Sequence, residues 1–308
     1  MYTFAKALEN IGINVEFLYL GNLKSISQLK LAQEKVRKAS KYFDITHAQF
    51  GSACALATMR AEGFKILTLR GSDWHRYIGP HASEYLHGIM ARKFTKLSIP
   101  SYDAVVTVSE RMASEVRLNF TSTVVSIVDP IDLDLFKPTQ KPQSIGMGPR
   151  YSKRHPLVLF TSLSSKNPVK RINLARQSIS VAARSIPNIV FKIAENVPNY
   201  NMPNFVSSCD MILCTSTHEG WPNSVKEALA CGLPFVSTDV SDLKSIASRR
   251  DDCFVGLSDP EILGGLIKRV LIKNHDPLSL RNEVKEFSLN ISAHRLLKLY
   301  ENTINVDN

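Results

Sequence analysis

The sequence predicts an α/β protein with two lobes, each built on a parallel sheet. The chain has 308 residues, which is long enough for two ordinary domains. Short apolar, β-branched runs alternate with longer segments of helical periodicity along its length. The alternation is interrupted once, over residues 137–156, where Pro, Gly, Ser and basic residues are frequent. Such alternation is typical of parallel sheets with helices on both faces.

The predicted strands are short runs bounded by polar or turn residues. They are NVEFLYLG, DITHAQF, FKILTLRG, DAVVTVS and TVVSIVD in the first half, and PLVLFTSL, NIVFKIAE, DMILCTS, PFVSTD and CFVGLS in the second. Helices are predicted at SQLKLAQEKVRKASKYF, SACALATMRAEG, RINLARQSISVAARS, DPEILGGLIKRVLI and, closing the chain, SAHRLLKLYENTI. We expect Rossmann-like lobes over 1–145 and 146–290, followed by a closing helix over 291–308.

Composition excludes several classes of protein. A hydrophobic content of 44% with 21% charged residues is typical of a globular chain, and no run of 18 apolar residues predicts a membrane-spanning helix. The five cysteines are odd in number and never spaced as CxxC, which argues against a disulfide framework and a zinc site. We therefore expect a cytoplasmic protein with reduced thiols.

The formal net charge of +10 indicates anionic partners. Phosphate-bearing substrates, an anionic membrane surface and nucleic acid all fit this charge. No RNA-binding aromatic motif or DNA-recognition helix accompanies it, so nucleic acid is the least favoured of the three. A peripheral contact with the inner face of a membrane stays open.

One loop, within residues 214–240, places two glutamates between two apolar runs. DMILCTS predicts a strand, and WPNSVKEALACG predicts a short helix with Pro222 in its first turn and Gly232 at its end. Glu219 then precedes the helix, and Glu227 lies on its second turn. Free amides at such a helix start favour anions or sugar hydroxyls. The glutamate spacing alone is a weak signal, and two solvated carboxylates are the alternative.

The full loop, STHEGWPNSVKEALACGLPFVSTDV, resembles the signature of family 4 retaining glycosyltransferases, E-G-x-P-N-x-x-x-E-A-x-A-x-G-x-P-x-V-x-T. IVDPIDLDLFKP is similar to the family's crossing segment, and FDITHAQFGSACALA and KILTLRGSDWH are similar to its acceptor-lobe strands. NPVKRINLA, with the loop, resembles the branch that assembles capsule, exopolysaccharide and lipopolysaccharide. The resemblance covers almost the whole chain and implies the GT-B fold, in which two Rossmann-like lobes face each other across a cleft.

The resemblance assigns roles in the C-terminal lobe. Glu219 would lie beside the donor sugar, and Glu227 would bind the ribose of a nucleoside diphosphate sugar. Lys170 matches the family's lysine on the donor diphosphate. The family's arginine after the preceding strand is absent here, so Arg171 or Lys166 would replace it. The alternative is that the basic residues of this turn are solvated and bind no diphosphate. The loop residues that complete the donor site would be Gly220, Trp221, Pro222, Asn223 and Ser224.

Two catalytic candidates lie in the N-terminal lobe. Arg70 follows a predicted strand at a position where many relatives carry a histidine close to the reacting sugar. His47 resembles a family position that faces the cleft. An isolated histidine is more often structural than functional, so both readings of His47 stay open.

No metal and no cofactor besides the donor sugar nucleotide is expected. Asp132-Leu133-Asp134 imitates a metal-binding DxD motif, but its neighbours fit the crossing segment better. His75, His81 and His87 recur six residues apart, a spacing that does not place them on one helix face.

The chain departs from the family pattern at its start. Relatives begin with a strand and a glycine-rich loop, whereas MYTFAKALENIG predicts the helix that follows them. We therefore expect this first strand and loop to be missing. Ser241 and Ser245 stand where relatives often carry glycine and glutamate.

The favoured function is a metal-independent, hexosyltransferase-type retaining glycosyltransferase. It would move a sugar from a nucleoside diphosphate donor to a glycan or lipid-linked acceptor in surface polysaccharide biosynthesis. The alternative is a truncated, non-catalytic sugar-nucleotide-binding remnant of the same family, which the unusual start and the absent arginine favour.

Overall fold

The chain forms two compact units in the computed structural model, which describes residues 2–75, 82–138, 155–164 and 167–305. Unit 1 comprises Met1–Pro130 and Leu289–Asn308, and unit 2 comprises Ile131–Ser288. Most of the predicted linker, 139–154, and Lys166 lie outside the described residues. Each unit contains one parallel sheet with helices, so the predicted α/β fold is confirmed.

Unit 1 holds a four-stranded sheet with the order β1-β2-β3-β4. All three neighbouring pairs are parallel, with Ile45 opposite Phe64 and Ile66 opposite Ala104. Its elements, in chain order, are α1 (Tyr2–Glu9), α2 (Ile26–Ser40), β1 (Ile45–Ala48), α3 (Ser52–Thr58), β2 (Phe64–Leu69), α4 (Ala82–Ser98), β3 (Ala104–Thr107), α5 (Glu110–Arg117) and β4 (Thr123–Ser126).

Unit 2 holds a five-stranded parallel sheet with the order β6-β5-β7-β8-β9. A final helix, α12, returns to unit 1. The elements are β5 (Leu157–Ser162), α6 (Ile172–Ala183), β6 (Val190–Glu195), α7 (Met202–Ser207), β7 (Met211–Cys214), α8 (Asn223–Ala230), β8 (Phe235–Thr238), α9 (Leu243–Ala247), β9 (Phe254–Gly256), α10 (Pro260–Leu271), α11 (Pro277–Asn282) and α12 (Leu289–Ile304).

The core of unit 1 lies on both faces of its sheet. Side chains of adjacent strand residues point to opposite faces, so Ile66 and Leu67, both fully buried, belong to different clusters. The Ile66 cluster includes Leu296 and Leu299 of α12, and the Leu67 cluster includes Met112 of α5. Helix α12 therefore completes one of the two hydrophobic layers of unit 1.

The predicted strand NVEFLYLG does not form. Residues 13–23 have no regular structure, and Phe17, Leu18 and Tyr19 are exposed. A strand is stabilised by hydrogen bonds to a neighbouring strand, and no strand in the described ranges pairs with this segment. The apolar run was therefore insufficient evidence for a strand, and this prediction is wrong.

No helix in the ranges that the structure describes is both long and apolar enough to cross a bilayer.

The contact between α6 and α10 depends on a glycine. A Cβ atom at Gly264 would lie 2.5 Å from Val181 Cγ1 and 2.9 Å from the Ser178 carbonyl oxygen. The adjacent Gly265 has open space at the same position. The two glycines therefore form a matched pair, with one at a close helix contact and the other facing away from it.

We expect Gly264→Ala to lower the free energy of unfolding by about 1–3 kcal/mol, because overpacking must move α6 away from α10. Gly265→Ala should raise it by about 0.5–1 kcal/mol, because alanine favours a helix interior. Urea unfolding followed by circular dichroism measures both changes. Equal effects of the two substitutions would show that the α6–α10 contact is looser than described.

Candidate functional site

The topology of unit 2 indicates where a ligand would bind. Strand β5 is flanked by β6 on one side and by β7 on the other, so the chain reverses direction across the sheet at β5. In open parallel sheets, ligands bind beyond the carboxyl ends of the strands at this switch point. The loops after β5 and β7 carry Lys170 and Glu219, which places both predicted residues at the expected edge.

The loop after β5 ends in a tight turn with an unusual backbone. Pro168–Lys170 form one turn of 3-10 helix, capped by the Asn167 side chain, which accepts a hydrogen bond from the Val169 amide at 3.0 Å. Arg171 then adopts the left-handed conformation, with φ +50° and ψ +53°, and α6 begins at the next residue. A non-glycine residue in this region costs on the order of 1 kcal/mol or more, so tertiary contacts must hold it.

The Arg171 side chain supplies those contacts. Its Nε donates to the Thr215 carbonyl at 2.6 Å, and its Nη2 donates to the Ser216 carbonyl at 2.8 Å. The third guanidinium nitrogen, Nη1, donates to Ser258 Oγ at 2.9 Å. All three guanidinium nitrogens thus bind groups of unit 2. The predicted contact of Arg171 with a diphosphate stays a prediction, whereas its role in joining two loops is directly visible.

Further hydrogen bonds fasten the loop after β5 to the loop after β7. Thr215 Oγ1 donates to the Lys170 carbonyl at 2.6 Å, and the Thr217 amide donates to the Val169 carbonyl at 2.9 Å. Thr238 Oγ1, from the end of β8, donates to the Ser216 carbonyl at 2.6 Å. These hydroxyl groups were not predicted from the sequence. Their signal was a Ser or Thr directly after each apolar strand run.

Lys170 and Glu219 form an ion pair inside this framework. Lys170 Nζ lies 2.6 Å from Glu219 Oε1, and Ser216 Oγ donates to the same oxygen at 2.6 Å. Burial opposes the charge of Lys170, but the adjacent Glu219 carboxylate outweighs it and raises the pKa of Lys170. Burial lowers the pKa of the neighbouring His218, so its ring is neutral at pH 7. Lys170 is therefore protonated beside Glu219, while His218 is neutral.

The segment after Glu219 is held at both ends. Ser241 Oγ donates to the Gly220 carbonyl at 2.5 Å, and Ser241 itself is left-handed with φ +53°. Glycine adopts this conformation most readily, and it is the residue that the family resemblance implies at this position. Gly232 ends α8 with φ +75°, where a Cβ would lie 2.4 Å from Pro277 Cβ. The loop and the helix are thus fixed before any ligand binds.

Helix α8 begins with unused amides. The Val225 and Lys226 amides donate to the Pro222 carbonyl at 3.0 and 3.2 Å. Those of Asn223 and Ser224 have no acceptor among the described residues, and both side chains reach solvent. An anion or a hydroxyl group can bind at such a helix start.

Glu227 lies one turn further along α8. It is half-buried, and its carboxyl group accepts no hydrogen bond within the described ranges. Burial, partly offset by the charge of Lys226, raises the pKa of Glu227 to about 7. A carboxylate without a partner is expensive to bury, so a ligand with hydroxyl groups would stabilise it.

Trp221 packs inside unit 2. Its ring is buried edge-on against Phe287, with the centroids 5.4 Å apart, and Lys226 Nζ lies 5.7 Å from the ring centroid. Gly220 and Pro222 are buried beside it. The structure thus gives Trp221 a packing role, and its contact with a donor sugar stays a prediction.

Arg70, in unit 1, uses its guanidinium for internal contacts. Nε donates to the Gln49 carbonyl at 2.9 Å, Nη2 donates to Gln49 Oε1 at 2.9 Å, and Nη1 binds both carboxylate oxygens of Asp129. The Arg70 amide is also held by Asp73, at 3.0 Å. Its predicted role beside the reacting sugar stays a prediction.

His47 has a partner on each ring nitrogen. Nδ1 lies 2.7 Å from the Tyr300 hydroxyl, and Nε2 lies 2.7 Å from Thr68 Oγ1. Burial, followed by the charge of Arg70, lowers the pKa of His47 to about 3, so the ring is neutral. This geometry favours the structural reading of His47, and its catalytic role stays a prediction.

The rejected DxD motif forms a turn. Asp132 Oδ1 accepts hydrogen bonds from the amides of Asp134 and Leu135, each at 3.0 Å. The Arg281 side chain donates to the carbonyl of Leu133 in the same turn. Among the described residues, no three His, Cys, Asp or Glu side chains are grouped closely enough to hold a metal ion. The expected independence of metal stays a prediction.

Comparison with known proteins identifies a domain in unit 2. Residues 172–273 match the family model described as glycosyl transferases group 1. The putative teichuronic acid biosynthesis glycosyltransferase TuaC of Bacillus subtilis (strain 168) is 28% identical over 280 residues, which cover 79% of this chain and 67% of TuaC. The residues that match the glycosyl transferases group 1 model include the loop after β7 with Glu219 and Glu227.

Solved structures share the fold. Sucrose-phosphate synthase of Thermosynechococcus elongatus has a TM-score of 0.73 and 16% identity, covering 98% of this chain and 92% of its own. TarM of S. aureus, solved with fondaparinux, alpha-GlcNAc-glycerol and UDP, has a TM-score of 0.68 and 12% identity, covering 90% of this chain and 59% of TarM. At these identities the likeness concerns the fold alone, and it confirms the predicted GT-B class.

The role of Arg171 can be tested with Arg171→Lys, which keeps the charge but loses the planar fork. We expect the free energy of unfolding to fall by about 1–3 kcal/mol, because the buried Thr215 carbonyl loses its donor and the Ser216 carbonyl keeps only that of Thr238. Arg176→Lys, on the exposed side of α6, is the control and should leave stability unchanged. A stable Arg171→Lys variant would show that the two loops are held together without the guanidinium.

The raised pKa of Glu227 gives a pH-dependent prediction. Between pH 4.5 and about 7 the unfolded chain loses this proton before the folded chain does, so folding becomes less favourable as the pH rises. Glu227→Gln removes the ionisation. Its stability relative to the unmodified protein should therefore increase across this window, by on the order of 2 kcal/mol in urea unfolding. If the difference in the free energy of unfolding between Glu227→Gln and the unmodified protein does not depend on pH, the shifted pKa is contradicted. Glu261→Gln, at an exposed site, is the control.

Proposed function

We propose that this chain is a metal-independent retaining glycosyltransferase of hexosyltransferase type. It transfers a sugar from a nucleoside diphosphate donor to a glycan or lipid-linked acceptor in surface polysaccharide biosynthesis. The observation that carries the proposal is the Lys170–Glu219 ion pair at the switch point of the unit 2 sheet. The group 1 domain match and the name of the relative TuaC support it.

The reaction requires a cation where the leaving group develops charge. The bond between the sugar C1 and the diphosphate oxygen breaks, a bond from C1 to the acceptor oxygen forms, and the acceptor proton leaves with the diphosphate or with solvent. Lys170 keeps its proton because of Glu219, so a full positive charge is present for the departing diphosphate. The free amides of Asn223 and Ser224 add hydrogen-bond donors, whose partial positive charge also favours the diphosphate.

Glu219 has one role without the donor and another with it. In this structure Glu219 Oε1 accepts hydrogen bonds from both Lys170 and Ser216. A diphosphate competes for Lys170, because it is also an anion and carries more charge. Glu219 then becomes available to accept sugar hydroxyls and to stabilise positive charge at C1.

Glu227 fits the ribose end of the donor. An ionised carboxylate accepts both ribose hydroxyls at once, and these two hydrogen bonds would replace the water that burial has removed. With its pKa raised to about 7, this carboxyl group is partly protonated at neutral pH. Nucleotide binding should therefore release a proton.

The alternative, a binding protein without turnover, rests on unit 1. Arg70 is engaged by Gln49 and Asp129, and His47 by Tyr300 and Thr68. With these hydrogen bonds in place, neither side chain is free for the catalytic role predicted for it.

The full chain should be incubated with a panel of nucleotide sugars and a lipid-linked glycan acceptor, and free nucleoside diphosphate measured. UDP sugars come first, because TarM was solved with UDP. Release of diphosphate that depends on the acceptor would support the enzyme. Nucleotide binding by calorimetry without release from any donor would support the binding protein instead.

Substitutions should separate the two glutamates. Glu219→Gln should lower kcat by about 100-fold or more without weakening nucleotide binding, because it removes charge beside the reacting carbon and also removes the carboxylate that competes with the diphosphate for Lys170. Glu227→Ala should weaken nucleotide binding by about tenfold, because it removes hydrogen bonds to the ribose. Glu261→Gln, an exposed site on α10, is the control. Unchanged kinetics in both site variants would refute these roles.

A further inference from the structure

Ser241 follows strand β8 with a backbone conformation that serine rarely adopts. Its φ is +53°, in the left-handed region where a Cβ atom is disfavoured. The neighbouring Val240 and Leu243 are buried in unit 2 and hold the backbone on both sides. Strained residues persist only where the surrounding contacts impose them, and they are concentrated at functional sites. The strain at Ser241 therefore calls for a functional reason.

The Ser241 hydroxyl binds the residue next to Glu219. Ser241 is 7% exposed, and its Oγ donates to the Gly220 carbonyl at 2.5 Å. This carbonyl belongs to the same trans peptide unit as the Trp221 amide, so the amide points in the opposite direction. The hydroxyl of Ser241 thus fixes the orientation of the whole peptide unit that follows Glu219.

The backbone beside this hydrogen bond has donors to spare. Gly220 and Trp221 are buried residues, and their amides have no acceptor within the ranges that the structure describes. A buried amide without an acceptor costs free energy comparable to a lost hydrogen bond. Oxygen atoms of a ligand would remove this cost. The peptide unit that Ser241 orients is therefore one that a ligand can use.

The side chain of Glu219 depends on the same backbone when a donor is bound. Its Oε1 accepts hydrogen bonds from Lys170 and Ser216. A diphosphate that takes over Lys170 would leave Ser216 as the remaining one of these two anchors. The position of the carboxylate is then set by Ser216 and by the backbone that Ser241 holds at the next residue. The hydrogen bond from Ser241 to Gly220 thus matters most in the complex with the donor.

We propose that Ser241 is a positioning residue for the sugar transfer, an inference that rests on the proposed function. Its hydroxyl holds the peptide unit after Glu219, so that the Glu219 carboxylate and the Trp221 amide meet the donor sugar in one fixed arrangement. Ser241 acts through Gly220 and does not itself touch the reacting atoms. A displacement of about 1 Å in a catalytic group can cost about 100-fold in rate, so one hydrogen bond here can control turnover.

Binding of the donor should depend much less on Ser241. In the proposed function Lys170 holds the diphosphate and Glu227 holds the ribose, and the Ser241 hydroxyl donates to neither of them. Loss of the hydroxyl should therefore lower kcat and leave KM for the donor almost unchanged. A purely structural role would instead lower the amount of folded protein and leave kcat per folded molecule as it was.

The test compares two variants that both lack the hydroxyl. Ser241→Ala keeps the strained backbone, whereas Ser241→Gly relieves it. With the UDP sugar and lipid-linked acceptor that give diphosphate release, both should lower kcat per folded molecule by about tenfold or more, and KM for the donor should change by less than about twofold. Hydrogen exchange of residues 219–224, measured by mass spectrometry without donor, should become faster in both.

Ser248→Ala is the matched control. Its exposed hydroxyl also donates to a backbone carbonyl, that of Ser245 at 2.9 Å, but it lies away from Gly220 in sequence and in hydrogen bonding. The control should keep the kcat and the hydrogen exchange of the unmodified chain. Circular dichroism gives the folded fraction of every variant, to which the rates are referred.

Three results would overturn the role of Ser241. They are an unchanged kcat in both variants, unchanged hydrogen exchange in both, and a kcat restored in Ser241→Gly alone, which would assign the effect to backbone strain. In each case an active unmodified chain leaves the proposed function standing. An unmodified chain that transfers no sugar would overturn the proposed function and this inference together.

Discussion

The hydrogen bonds from Arg171 to the carbonyls of Thr215 and Ser216 are the constraint on which the site of unit 2 depends. They join the loop after β5 to the loop after β7 and hold Arg171 in a backbone conformation that it would not adopt alone. With the two loops joined, Lys170 is directed to Glu219. The guanidinium thus acts as part of the backbone framework, and the lysine beside it is the cation available to a ligand.

The two units use their polar side chains differently. In unit 1, Asp73 is completely buried and its carboxylate accepts the amides of Gly51, Arg70 and Gly71, while His47 and Arg70 are fully engaged. In unit 2, the carboxyl of Glu227 and two amides of α8 have no partner within the described residues. Polar groups that lack hydrogen-bond partners indicate a binding site, whereas polar groups whose partners are all within the protein indicate a structural role. By this criterion unit 2 is prepared for a ligand.

Sequence reasoning identified the parallel α/β architecture, because buried parallel strands are short apolar runs separated by helices. It also located Lys170 and Glu219 in loops that follow strands, while the pairing of those two strands came from the structure. It failed at NVEFLYLG, since an apolar run becomes a strand only when another strand pairs with it. The joining role of Arg171 and the packing of Trp221 against Phe287 could not be predicted, because they connect residues 44 and 66 positions apart in sequence.

Helix α12 has a consequence for how the protein is made. It supplies Leu296 and Leu299 to the hydrophobic layer that also contains Leu8 and Ile66, and it supplies the hydroxyl that binds His47. Synthesis on the ribosome runs from the N-terminus, so most of unit 1 emerges long before this helix. Unit 2 can close its own core during that interval, while unit 1 waits with an apolar sheet face uncovered. A helix translated after all of unit 2 therefore completes a lobe whose strands were translated before unit 2.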